Sequence, residues 1–258
     1  MIADAYDAFL LDLDGVLFRG SAPIPGAAGA VGRLRSLGKS IAFVTNNSSR
    51  TPRDVAAHLA TVGIAADPGE IETSALTTAQ LLRDRGVATA FVVGEEGLRS
   101  AVTEAGLHLL DGEPPQADVV VVGFDRNVDY AKLRTACVLV QHGAGLVASN
   151  ADTSFPAEDG TSWPGAGALL AVVELTTGER AEVIGKPNAP IFRAALRRAG
   201  GGRPLVIGDR IDTDIDGANA LGWDSMLVLT GISTSTEATA NPPGPTYVAD
   251  DLGALFGG

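Results

Sequence analysis

Cysteine is almost absent from this chain. Cys137 stands alone, which excludes an internal disulfide framework and a multi-cysteine zinc site. Histidine is nearly as scarce: His58, His108 and His142 leave little material for an imidazole metal site. Basic residues are in deficit. Lys and Arg number 19 against 31 Asp and Glu, a net charge of −12. That balance argues against the basic face a nucleic-acid backbone requires. It leaves room for a small anionic substrate, because local charge at a site can oppose the global charge. Long apolar runs are missing too. The stretch from Trp163 to Val173 has 11 residues, whereas a spanning helix needs about 20. The N-terminus carries Asp4 and Asp7 where a signal peptide carries basic residues. The expectation is a soluble, cytoplasmic protein without a membrane partner.

What is present is apolar material and alternation. Hydrophobic residues make up 45% of 258 residues, enough for one large domain or two modest ones. Short apolar runs alternate with helical segments, which predicts an α/β fold. Strands are expected over 8–11, 40–44, 90–93, 119–122, 146–148, 205–207 and 226–229. Helices are expected over 27–37, from Pro52 onward, and over 74–85, 95–105, 130–141 and 166–174. The stretch 233–245, rich in Thr, Ser, Pro and Ala, reads as a surface loop.

Polar residues gather where an open α/β sheet builds its sites, at the C-terminal ends of strands. Three such ends stand out: Asp12-Leu13-Asp14-Gly15, Thr45-Asn46-Asn47, and Gly208-Asp209-Arg210-Ile211-Asp212-Thr213-Asp214. A fourth piece, Gly185-Lys186-Pro187, precedes a helix. If Asp12, Asp14, Asp209 and Asp214 converge, their charges repel and raise each other's pKa. A cation or partial protonation relieves that. Carboxylates without His or Cys suit a hard ion such as Mg²⁺, which usually completes its shell with water and substrate phosphate. Lys186 adds a point charge suited to phosphate. Each piece also has a plain structural reading: a turn, a helix cap, an Asx loop, a solvated lysine. Four of them at four separate places, in this order, favour the functional one.

The constellation resembles the haloacid dehalogenase superfamily of phosphohydrolases. The likeness extends over nearly the whole chain, and the stretches 12–17, 44–50, 93–95, 150–153, 185–187 and 207–217 look like its NagD-like branch. That branch includes 4-nitrophenyl, phosphoglycolate and glycerol-phosphate phosphatases. The resemblance implies a Rossmann-like core with a parallel sheet flanked by helices. It implies that Asp12 is the nucleophile, forming an aspartyl-phosphate, and that Asp14 is the general acid and base. Mg²⁺ would be held by Asp12, the Asp14 backbone carbonyl and Asp209, with Asp214 steering its water shell. Thr45, Asn46 and Lys186 would hold the phosphate. Asp14 separates phosphatases from the dehalogenases, which lack this acid.

The number of residues between motifs locates an insert. Asn47 and Lys186 are separated by 138 residues, too many for one strand–helix crossover. The expected division is a catalytic core of 1–79 and 184–258 with an α/β unit inserted at 80–183. The resemblance makes that insert a second-type cap over the crevice and a place where a homodimer could form. Within it, Asp152 and the small residues Gly165, Ala166 and Gly167 are candidates for substrate choice. Asp152 could bond a substrate hydroxyl, which suits glycerol 3-phosphate, the first expected substrate, and mildly disfavours phosphoglycolate. The glycines could equally serve packing alone. Sugar phosphates, nucleoside monophosphates and 4-nitrophenyl phosphate remain alternatives. A receiver module also uses Asp, Mg²⁺ and Lys, but lacks the Asp12–Asp14 spacing and the large insert. His58 reads as a solvated residue of a surface helix, His142 as a helix-end charge and Cys137 as an inert core thiol.

Overall fold

The computed structural model describes residues 1–156, 161–240 and 243–257. The chain packs as two compact units. The first comprises Met1–Thr45, Pro52–Glu72 and Lys186–Gly258, the second Asn46–Thr51 and Thr73–Gly185.

In the first unit, Ala8–Leu11 is buried at every position, as a central strand covered on both faces must be. It pairs in parallel with Pro204–Gly208 on one side and Ser40–Thr45 on the other, so that Leu11 stands beside both Ile207 and Phe43. The six-stranded sheet runs in the order Tyr247–Ala249, Asp224–Val228, Pro204–Gly208, Ala8–Leu11, Ser40–Thr45, Ile71–Thr73. Strand periodicity sorts its side chains into two layers. Phe9, Leu11, Phe43 and Ile207 pack with Val31, Leu34, Val55 and Leu59 of the helices Ala27–Ser36 and Pro52–Thr61. Leu10, Ala42, Val44 and Val206 pack with Ile191, Phe192 and Ala195 of the helix Ala189–Arg198. All the strand ends that carry Asp12, Thr45 and Asp209 therefore emerge on one edge of this sheet.

The second unit repeats the scheme on a five-stranded sheet in the order Glu182–Val183, Gly145–Ala148, Val119–Val122, Thr89–Val93, His108–Leu110. Val92, Val121 and Val147 face Ala75, Ala79 and Leu82 of the helix Ser74–Asp84. That helix corrects one expectation. The border drawn at 79/80 falls inside it, and its apolar face belongs to the second core, so the units part at 72/73. The opposite face of the sheet packs Phe91, Val93 and Val120 against Leu139, Val140, Leu170 and Val173, with Cys137 buried among them.

Two further local elements differ from the sequence reading. The helix Ser235–Ala240 lies inside the stretch expected to be a loop. Thr234 and Glu237 explain it: the Thr234 backbone N–H donates to Glu237 Oε2 at 2.7 Å, and the Glu237 N–H donates back to Thr234 Oγ1 at 3.3 Å, a capping box. Residues 241 and 242 of that stretch lie outside the described residues. A short hairpin, Phe18–Arg19 with Ala22–Pro23, turns at Gly20, whose φ of 58° suits a two-residue turn. Among the described residues, no helix is long and apolar enough to cross a membrane.

Candidate active site

Asp12 follows the strand Ala8–Leu11 directly, and its backbone N–H donates to Ile207 O at 2.9 Å, extending the ladder by one bond. Lys186 enters the same place from the other end of the chain. It is buried, and its Nζ lies 2.7 Å from Asp12 Oδ1 and 2.7 Å from Asp214 Oδ1. Asp209 ends Pro204–Gly208. Its Oδ2 accepts the Ile232 N–H at 2.8 Å. Asp12, Asp209 and Asp214 each place a carboxylate oxygen within 4.8 Å of the others.

Asp214 reaches this position through an unusual turn. Over Ile211–Ile215 the backbone widens to a π-helical turn, in which the Ile215 N–H bonds Arg210 O five residues back. Such turns recur at functional sites. Beside it, Arg210 clamps Asp212 with two hydrogen bonds at 3.0 and 2.7 Å, on the solvent side.

Charge shapes the cluster. Burial pushes Asp12 up to about 6, with the negative charge of Asp209 adding to it and Lys186 opposing it. Burial also raises Asp209 to about 6, reinforced by Asp214. Asp214 rises to about 6 by burial and the Asp12 charge, against the pull of Lys186. The Lys186 ammonium moves upward: two carboxylates outweigh its own desolvation. Three acids thus share one ammonium, an all-oxygen donor set short of positive charge, and it fits a hard divalent cation.

Asp14 sits two residues on and reaches solvent. Its carboxyl is still crowded enough for partial desolvation to raise it, while the Gly20 backbone N–H and the charges of His58 and Arg19 pull it down. The loop around it is held by Thr230, whose Oγ1 donates to Gly15 O at 2.6 Å and whose carbonyl accepts Arg19 Nε at 2.6 Å.

Thr45 is buried at the end of Ser40–Thr45, two residues past the Leu11–Phe43 pair. Asn46 opens the segment Asn46–Thr51, which packs with the second unit. There its carbonyl accepts Ser74 Oγ and Asn150 Nδ2, both at 2.7 Å. Its side-chain amide donates to Asp152 Oδ2 at 3.2 Å. Asn46, Asn150 and Asp152 therefore form one polar cluster. Gly165 and Gly167 lie over the same segment: a Cβ on either would stand 2.2 Å from Asp152 O or 2.3 Å from Ala151 O. The start of the helix Ala166–Thr177, with Ala166 buried in its first turn, can approach that backbone only with these glycines.

His58 corrects another expectation. It is half-buried, with Nε2 3.0 Å from Gly20 O and its ring edge-on to Phe18 at 4.5 Å. Sequence reasoning also passed over Ser74, Thr230 and Ile232. Only the Gly20-Ser21 turn pair gave a local signal, that of a hairpin.

A family model described as haloacid dehalogenase-like hydrolase matches residues 9–108, and one described as HAD-hydrolase-like matches residues 183–255. Curated relatives match along almost the whole chain. An acid sugar phosphatase from Staphylococcus haemolyticus is 39% identical over 96% of this chain and 94% of its own. The 5'-nucleotidase YutF of Bacillus subtilis is 38% identical over 96% of both. Among solved structures, glycerol phosphate phosphatase from Mycobacterium tuberculosis in complex with magnesium superposes with a TM-score of 0.93 at 37% identity, covering 98% of this chain and 77% of its own. The chain belongs to the haloacid dehalogenase-like hydrolase family. It is a phosphoric monoester hydrolase of that family, a phosphatase for small phosphorylated substrates.

Proposed function

We propose that this chain hydrolyses phosphate monoesters through an aspartyl-phosphate on Asp12, with glycerol 3-phosphate as its first substrate. The observation that carries the reading is the Lys186 ammonium held 2.7 Å from both Asp12 and Asp214, with Asp209 in the same cluster. Lys186 keeps Asp12 ionised and aimed, and its charge stabilises the transferring phosphoryl group. An Asp12 oxygen attacks phosphorus as the bond from phosphorus to the ester oxygen breaks. Asp14 gives its proton to the departing alkoxide, then takes one from the water that attacks the acyl phosphate, which returns Asp12 and releases phosphate. Thr45 and Asn46 contribute hydroxyl and amide donors for the phosphate oxygens.

Mg²⁺ fits the donor set. Asp12, Asp209 and the Asp14 carbonyl would hold it, and Asp214, already bonded to Lys186, would orient its waters. Bound there, it supplies charge neutralisation and a fixed place for a phosphate oxygen.

Glycerol 3-phosphate is favoured by the glycerol phosphate phosphatase neighbour, and Asp152 is the side chain proposed to meet its hydroxyls. A second reading, sugar phosphates or nucleoside monophosphates, is favoured by the relatives named acid sugar phosphatase and 5'-nucleotidase. A panel of phosphorylated metabolites ranked by kcat/KM decides between them. Asp152→Ala is expected to reorder that ranking; an unchanged order removes Asp152 from substrate choice. The charge of −12 supports a role without nucleic acid. Exposed Tyr130 and Leu175 on the second unit offer apolar area for a homodimer.

Asp12→Asn tests the nucleophile. Turnover should fall on the order of 10⁴-fold or more, with the fold retained. Near-normal turnover would refute the mechanism.

A further inference from the structure

We propose that His58 is a positioning residue for Asp14, acting through the hairpin that carries Gly20; the proposal rests on the acid–base reading of Asp14 given above. Three observations within the first unit carry it. The hairpin that turns at Gly20 starts from Phe18, which bridges Asp14, so where the hairpin stands decides where Asp14 is held. At the turn, Gly20 O lies 3.0 Å from His58 Nε2. A carbonyl only accepts, so His58 carries its proton on Nε2 and donates. The ring meanwhile packs perpendicular to Phe18, at 88° and 4.5 Å. Phe18 is tied to the Asp14 loop in turn, since its carbonyl accepts the Gly15 N–H at 2.8 Å and it bridges Asp14.

The hairpin is thus gripped from two directions. Thr230 holds Gly15 and Arg19 from the strand side, and His58 holds Gly20 and Phe18 from the helix Pro52–Thr61. Gly20 lacks a side chain and sits at positive φ, so nothing of its own fixes it. Without His58 the grip on Gly20 and Phe18 is lost, and the loop that carries Asp14 loses its support on that side. A misplacement of about 1 Å is enough to cost a catalytic group much of its effect.

The readout is leaving-group dependence. Protonation by Asp14 matters for a departing alkoxide and hardly for 4-nitrophenolate, while the hydrolysis of the acyl phosphate is common to both and does not enter kcat/KM. His58→Ala should lower kcat/KM on the order of 10-fold for an alkyl phosphate and leave 4-nitrophenyl phosphate nearly unchanged. His58→Gln, which can still offer an amide N–H, should recover most of the alkyl rate. His58→Leu keeps apolar contact with Phe18 without the donor and should behave like His58→Ala. Should His58→Ala fail to fold, the Gln and Leu variants decide between them. Equal losses on both substrates, or no loss in His58→Leu, overturn the proposal. Asp14→Asn separates the two layers. If it shows the leaving-group dependence and His58→Leu does not, only the role of His58 falls. If Asp14→Asn itself lacks that dependence, the reading of Asp14 falls.

Discussion

Lys186 occupies a position where a single positive charge serves two carboxylates. Its Nζ is 2.7 Å from each, and it is 5% exposed. Removing it leaves Asp12 and Asp214 facing each other in a buried place, and breaking a buried pair by deleting one partner costs about 3–5 kcal/mol. Lys186→Met should therefore lower stability by roughly that amount at pH 7.5 and lose most turnover. Lowering the pH should restore part of the stability, because a protonated Asp12 or Asp214 no longer needs the ammonium. Chemical denaturation at two pH values checks this. A penalty of equal size at both would mean that Lys186 acts by packing rather than by charge.

Elements, more than single residues, decide whether the acids meet. The segment after Asp224–Val228 is a buttress: Thr230 holds Gly15 and Arg19, while the Ile232 and Ser233 N–H groups hold Asp209. Gly231 lies between them, and a Cβ there would stand 1.9 Å from Asp209 Oδ2. Gly231→Ala should displace Asp209 and weaken Mg²⁺ binding roughly 10- to 100-fold, with far-UV circular dichroism unchanged. Calorimetric titration with Mg²⁺ reads the loss, and an unchanged affinity would detach Gly231 from the metal site. The acids themselves were legible because apolar strands such as Ala8–Leu11 end on them. The buttress was not, since nothing local marks Thr230 or Ile232; their roles arise when Asp224–Val228 pairs beside Pro204–Gly208. His58 was hidden for the same reason. The helical period points Val55 and Leu59 inward and leaves His58 at the margin, so its contact exists only once the hairpin lies against that helix. The unit border at 72/73 was missed because Ser74–Asp84 shows the same amphipathic pattern whichever core it covers.

At the scale of the whole first unit, the three acids tie stability to pH and to metal. Asp12, Asp209 and Asp214 stand at about 6 when folded, against 3.8 as the ordinary value. The folded state holds more protons across that window, so their contribution to stability is present below the ordinary value and is lost as pH rises through about 6. Asp212 and Asp224 act oppositely. Hydrogen bonds from Arg210 and Arg203 hold them below their usual range, and their contribution disappears only at lower pH, under the ordinary carboxylate value. Metal-free protein should therefore become more heat-stable as pH falls from 7.5 to 5.5. Mg²⁺ needs the ionised carboxylates, so its stabilisation must run the other way. At 100 times Kd a ligand adds about 2.7 kcal/mol, worth roughly 5–10 °C for a unit of this size. Scanning calorimetry with EDTA or saturating Mg²⁺ should show that increment in full at pH 7.5 and much reduced at pH 5.5. An increment independent of pH would mean that the ion binds somewhere other than these three aspartates, and the cluster beside Lys186 would lose its claim to the metal.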